Sequence, residues 1–136
     1  MGILLDTNVL IDYERGLLDL QSNISGREQE ACFLSVISAS ELLYGVHRAQ
    51  DPETRSKRLA FVEAVLEAFP VMEIDLAAAR VHAELWSQLA RQGTMIGLHD
   101  SWLAATCIAH DLTLVSSNVR EFERVPGLRI ETWTHR

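Results

Sequence analysis

Lysine is almost missing from this chain: of its 12 basic residues only Lys57 is one, and 19 acids outnumber them to leave a formal charge of −7. That balance argues against the broad basic surface on which non-specific nucleic-acid binders depend. The argument weakens where several acids face bound divalent cations, because a metal reverses the local field where a phosphate would lie. The remaining basic residues are arginines, which suit bidentate phosphate contacts, although compositional bias explains their excess more simply. Cysteine is scarce too. Cys32 and Cys107 lie far apart and in no C-x-x-C pair with nearby histidine, so neither a disulfide framework nor a zinc site is suggested, and both are expected to be buried thiols. No apolar run approaches membrane-spanning length, and the opening MGILLD reaches an acid at its sixth residue without a basic leader. A soluble, cytoplasmic protein with no membrane association is expected. Repeats, linkers and low-complexity tracts are also lacking.

What is present is 136 residues, 48% hydrophobic, which suits one ordinary globular domain over residues 1–136. Ile3 to Leu5 reads as a short strand ending at Asp6, and Asn8 to Glu14 follows at helical spacing. Gly16 to Glu30 is mixed and polar with a break at Ser25-Gly26, and Ala31 to Leu34 supplies a second strand. Ser38 to Ala49 reads as a helix, with Ser38 and Glu41 at capping-box spacing. Pro52 opens another, whose Leu59, Val62, Val65, Leu66 and Phe69 share a face, and Pro70 stops it before the strand-like Val71 to Ile74. Leu76 to Gln92 is helical and ends at Gly93. Gly97 to Asp100 leads into a helix through Trp102, Leu103, Ala105 and Ile108, and Thr113 to Val115 and Arg129 to Glu131 read as the last strands. Helices alternating with short strands imply an α/β fold with a mainly parallel sheet covered on both faces.

In such sheets ligands collect beyond the carboxyl ends of the strands. Asp6 lies at such an end, Glu41 and Asp100 are expected in the first turns of their helices, and Asn118 and Glu121 follow the strand ending at Val115. Five oxygen-bearing side chains converging on one rim, with no histidine or cysteine among them, suit hard cations such as Mg²⁺ or Mn²⁺. Phosphodiester hydrolysis is the natural chemistry of such ions. Each residue also has a structural reading. A first-turn acid such as Asp100 is favoured by the helix dipole, a capping Glu41 needs no further role, Asn118 is a good turn or cap residue, and His99, which could touch substrate, is more simply solvent-exposed. Asp6 is harder to dismiss, because an acid directly after a buried apolar strand must find hydrogen bonds or a cation.

The segments LLDTNVLID, SASELLYG, HDSWLAAT and LVSSNVREFERVPGLRIETW, in this order over residues 3 to 133, together resemble the PIN-domain family, specifically its VapC-type toxins of bacterial toxin-antitoxin pairs. The resemblance implies a three-layer α/β/α sandwich and Mg²⁺- or Mn²⁺-dependent cleavage of RNA by activated water, with transfer RNA the family-level target. It also implies a homodimer and a cognate antitoxin, which on charge grounds should present a basic inhibitory segment to the acids. Asp6, Glu41 and Asp100 match the family's three principal metal-site acids. A fourth acid often follows the last core strand, where this chain has Asn118, with Glu121 three residues later. Asn118 through its amide and Glu121 through its charge are both second-rank candidates there. Two other readings compete. A phosphatase with an aspartyl nucleophile needs a second aspartate where Asn8 stands, and a catalytically silent PIN-like module would bind RNA or protein without cutting.

Overall fold

The computed structural model describes residues 2–135. Five strands, β1 (Gly2–Leu5), β2 (Ala31–Ser35), β3 (Val71–Met72), β4 (Leu112–Val115) and β5 (Ile130–Glu131), form one sheet in the order β3-β2-β1-β4-β5. Every pairing is parallel, with Leu5 level with Leu34 on one side and Val115 on the other. The chain builds outward from β1 in one direction and then returns to its other edge, so the strand order reverses at β1. A crevice opens at such a switch point, and the residue that leaves β1 there is Asp6.

Alternation along the central strands divides the interior in two. Ile3, Leu5, Leu34 and Val115 face α1 (Thr7–Glu14), α3 (Val36–Arg48) and α4 (Pro52–Ala68), while Leu4, Leu112 and Leu114 face α5 (Leu76–Gln92), α6 (Leu98–His110) and α7 (Val119–Phe122). Helices therefore cover both faces, as an α/β/α sandwich requires. Local chemistry sets their ends. Asp51 caps α4 ahead of Pro52 by accepting from Thr54 N at 3.1 Å, and Asp75 caps α5 through Ala78 N at 2.9 Å. Gly93 closes α5 at φ 68°, a left-handed conformation that a β-carbon would disfavour. Among the described residues no helix is long and apolar enough to cross a membrane.

Several sequence expectations shift. The polar stretch 16–30 contains a short helix, α2 (Leu20–Ile24), capped by Asp19 through Gln21 N at 3.1 Å. α3 begins at Val36 rather than Ser38, because β2 runs on to Ser35 and the Ser35 hydroxyl caps it by accepting from Ile37 N at 3.0 Å. The Ser38–Glu41 capping box therefore does not form; Ser38 is buried and its hydroxyl has no hydrogen-bond partner among the described residues. β3 stops at Met72, two residues short of the expected end, Leu59 is exposed, and Cys32 is only half-buried. α7 was not legible as a helix at all.

Phe122, fully buried against the second half of the core, is the only buried residue of four-residue α7. So short a helix has negligible intrinsic stability and depends on this anchor. Phe122→Ala is expected to cost about 3–5 kcal/mol in urea unfolding. A cost under about 1 kcal/mol would show that α7 is held by something else.

Candidate active site

Asp6 follows β1 and caps α1, with its backbone N–H bonded to Val115 O at 2.9 Å and its carboxylate accepting from Thr7 N at 2.7 Å. The β1–β4 register places Ser116 beside it, and the Ser116 hydroxyl donates to Asp6 Oδ2 at 2.7 Å. Asp6 is 5% exposed. Burial raises its pKa, opposed by the bonds from Ser116 and Thr7, while Glu41 and Glu121 push it up further.

Glu41 reaches the same place from α3. It lies well past the first turn of the longer helix, which corrects the sequence expectation, and its side chain is free of capping duty. Thr7 Oγ1 donates to Glu41 Oε1 at 3.0 Å, and the exposed His99 ring lies 3.8 Å from its other oxygen. Asp100 does lie in the first turn of α6. Its pKa is pushed up to about 7, first by burial, then by the charges of Asp6, Glu121 and Glu41, and by its hydrogen bond with Glu121. Glu121 moves the other way: the Gly97 N–H at 2.8 Å and the Asn118 amide at 2.9 Å hold its carboxylate below the usual range. Of the two, Asp100 is the one that takes up a proton first as pH falls, because Glu121 is already supplied with donors and is less buried.

The structure accordingly brings Asp6, Glu41, Asp100 and Glu121 into mutual electrostatic contact. Asn118 stands behind them, its amide on Glu121 and its backbone N–H on Ser116 Oγ at 2.9 Å. Sequence reasoning missed Thr7 and Ser116 as the residues that orient the carboxylates. Ser116 was detectable in principle, being the residue after β4 as Asp6 is the residue after β1. His82 was also missed: it is buried, stacked 3.7 Å from the Trp102 ring, and bonded to Ser101 Oγ at 2.8 Å beside Asp100. Because Ser101 itself donates to Leu98 O at 2.6 Å, the histidine is the donor in that pair.

The donor chemistry fits a hard divalent cation, being all oxygen and short of positive charge. Among the described residues, however, no three His, Cys, Asp or Glu side chains are grouped closely enough to hold an ion as they stand. The carboxylates are drawn instead to Thr7, Ser116, Gly97 and Asn118, so ligation requires the acids to be ionised and the side chains to close in.

A PIN domain profile matches residues 3–128. The chain belongs to the PIN-domain family. It is 34% identical to "Ribonuclease VapC1" of Rickettsia felis, over 97% of this chain and 96% of that protein. It is 33% identical to the "tRNA(fMet)-specific endonuclease VapC" of Shigella flexneri, over 98% of this chain and 99% of that one. Among solved structures, DNA-bound VapBC from Salmonella typhimurium superposes with a TM-score of 0.87 at 32% identity, covering 98% of this chain and 99% of the other. The expected VapC resemblance and α/β/α architecture are thereby borne out.

The raised pKa of Asp100 has a consequence for stability. The folded value of about 7 lies above the ordinary value of ~4. The native state therefore binds the proton more tightly; this contribution is complete below ~4 and is lost as pH rises through about 7. Asn, a neutral mimic of the protonated acid, removes the dependence. In EDTA, Asp100→Asn should melt close to wild type at pH 4 and several degrees above it at pH 8. A variant that melts well below wild type at pH 8 would identify Asp100 as a stabilising helix-start acid instead.

Proposed function

We propose that this chain is a divalent-metal-dependent endoribonuclease, using Mg²⁺ or Mn²⁺, and the toxin half of a VapBC-type pair. The observation that carries the reading is the convergence of Asp6, Glu41, Asp100 and Glu121 from four separate segments at the strand-order switch, with Asp6 buried. Support comes from relatives of nearly equal length named as ribonucleases, among them two named as specific for tRNA(fMet), which makes transfer RNA the favoured target. We take residues 1–136 as one PIN-like nuclease domain that acts in the cytoplasm as a homodimer.

Asp6, Glu41 and Asp100 would hold the ion, with Glu121 as the fourth acid and Asn118 orienting it. A cation bound there would neutralise the carboxylates, polarise the phosphodiester and acidify water. The chain's own contribution is positioning and proton handling. Ser116 and Thr7 fix Asp6, Thr7 also aims Glu41, and Asn118 with Gly97 holds Glu121 against Asp100. A carboxylate oxygen of this cluster not engaged by the ion would receive the proton from attacking water.

Incubation of the purified chain with total RNA should give cleavage in Mg²⁺ and none in EDTA. Asp6→Asn and Asp100→Asn should each lower the rate by on the order of 10²–10³-fold, with Glu41→Gln close behind. Undiminished cleavage by Asp100→Asn would show the site to be misplaced; absence of cleavage by wild type with retained RNA binding would favour the silent binding module. The same negative charge suits an antitoxin that supplies an arginine, and solved neighbours include VapBC complexes. Replacing that arginine by alanine should weaken inhibition at least about tenfold; an antitoxin that inhibits equally well without any basic side chain at the cleft would contradict this.

A further inference from the structure

The acids do not face open solvent on every side. Between α1, α3 and α4 lies a groove of about 560 Å³ that begins at Thr7, Glu41 and His99 and is lined further along by Tyr44 and by Arg15, Arg48 and Arg58. In a chain of net charge −7, three arginines converge here, and no ion pair between described residues involves any of them. Among the described residues, the contacts these guanidinium groups do make leave anion-binding capacity unused. Arg58 donates to Gly45 O at a long 3.4 Å, and Arg48 lies 5.6 Å from the Tyr44 ring centroid. Tyr44 is 64% exposed, more than a large aromatic ring needs to be if its role were packing.

α3 arranges these groups in sequence. Glu41, Tyr44 and Arg48 are spaced three and then four residues apart, so they lie along one helix face. At 1.5 Å rise per residue they extend about 10 Å from the acid cluster. An acid at the chemical end, then an exposed ring, then cations is the order required by a strand whose scissile phosphate lies at the carboxylates, whose neighbouring base needs a stacking surface, and whose next phosphates need guanidinium groups. We propose that this groove binds the single-stranded RNA segment flanking the cleaved bond, with Tyr44 stacking a base and Arg15, Arg48 and Arg58 holding phosphates. The identity of the polymer rests on the ribonuclease reading; the polarity of the groove does not.

A helical partner segment is the competing occupant, and charge decides against it here. A segment that inserts a basic side chain at the acids would meet three like charges against a single further acid, Glu14, along the rest of the groove, whereas a polyanion meets a net positive charge there, beyond the acids that a cation would neutralise.

The test is binding of a fluorescein-labelled single-stranded RNA octamer to the full chain, read by anisotropy in EDTA across a salt series. Without metal the measurement reports the groove whether or not the chain cleaves RNA, so its outcome is separate from that of the ribonuclease reading. Arg48→Glu and Arg15→Glu should each weaken binding at least about tenfold, and Arg48→Ala or Arg15→Ala should flatten the slope of log K against log salt by about 0.7 per arginine. Tyr44→Ala should weaken it on the order of tenfold, with Tyr44→Phe restoring it. Thermal melting of each variant verifies folding, and the paired charge-reversal and alanine variants at separate sites keep the result interpretable if one fails to fold. RNA affinities within about twofold of wild type across the arginine variants would overturn the proposal. So would equal competition by a duplex of the same sequence, or loss of antitoxin binding in these variants with RNA binding intact.

Discussion

The molecule is organised around a carboxylate that has been taken out of water. Asp6 leaves the central strand where the strand order reverses, and two short hydrogen bonds, from Ser116 Oγ and Thr7 N, compensate its burial. Burying an acid without such partners costs several kcal/mol. Those partners are available only because β1 and β4 are in a register that sets Ser116 level with Asp6, and because α1 starts immediately at Thr7. Thr7 then passes the constraint on through its hydroxyl to Glu41, and Ser116 passes it to Asn118 and so to Glu121. One buried charge therefore fixes the orientation of groups on three helices.

The same arrangement concentrates negative charge beyond what the fold alone would favour. The pKa of Asp100 is pushed up to about 7, and that of Glu121 is held below the usual carboxylate range because Gly97 and Asn118 donate to it. Two carboxyl groups driven apart in pKa by their surroundings are a common mark of a site built for chemistry. Structural ion pairs also shift pKa values, but they do so by pairing acids with bases; here the charges that push Asp100 are those of other acids.

Much of this was legible in the sequence, for identifiable reasons. The strand Ile3 to Leu5 and the helix Leu76 to Gln92 were readable because apolar spacing and a terminal Asp6 or Gly93 agree with each other there. Asp6 stood out because an acid after an apolar strand has few harmless explanations. Glu41 was assigned the right importance with the wrong local geometry: the serine that caps α3 is Ser35, and the choice between Ser35 and Ser38 depends on where β2 ends, which pairing with β1 and β3 decides. α2 and α7 were invisible because four or five residues give no periodicity, and α7 is held by tertiary burial of Phe122. Thr7, Ser116 and the His82–Ser101 pair escaped notice because their roles depend on contacts between distant segments.

The central claim is that the acids form one coupled site in which a proton at Asp100 stands where a cation's charge would act. The most direct measurement is a pH titration of the Asp100 side-chain carboxyl carbon by NMR, in EDTA and again in saturating Mg²⁺. The account predicts a midpoint close to 7 in EDTA, lowered by about one unit or more in Mg²⁺. A midpoint near ~4 in both conditions would contradict it.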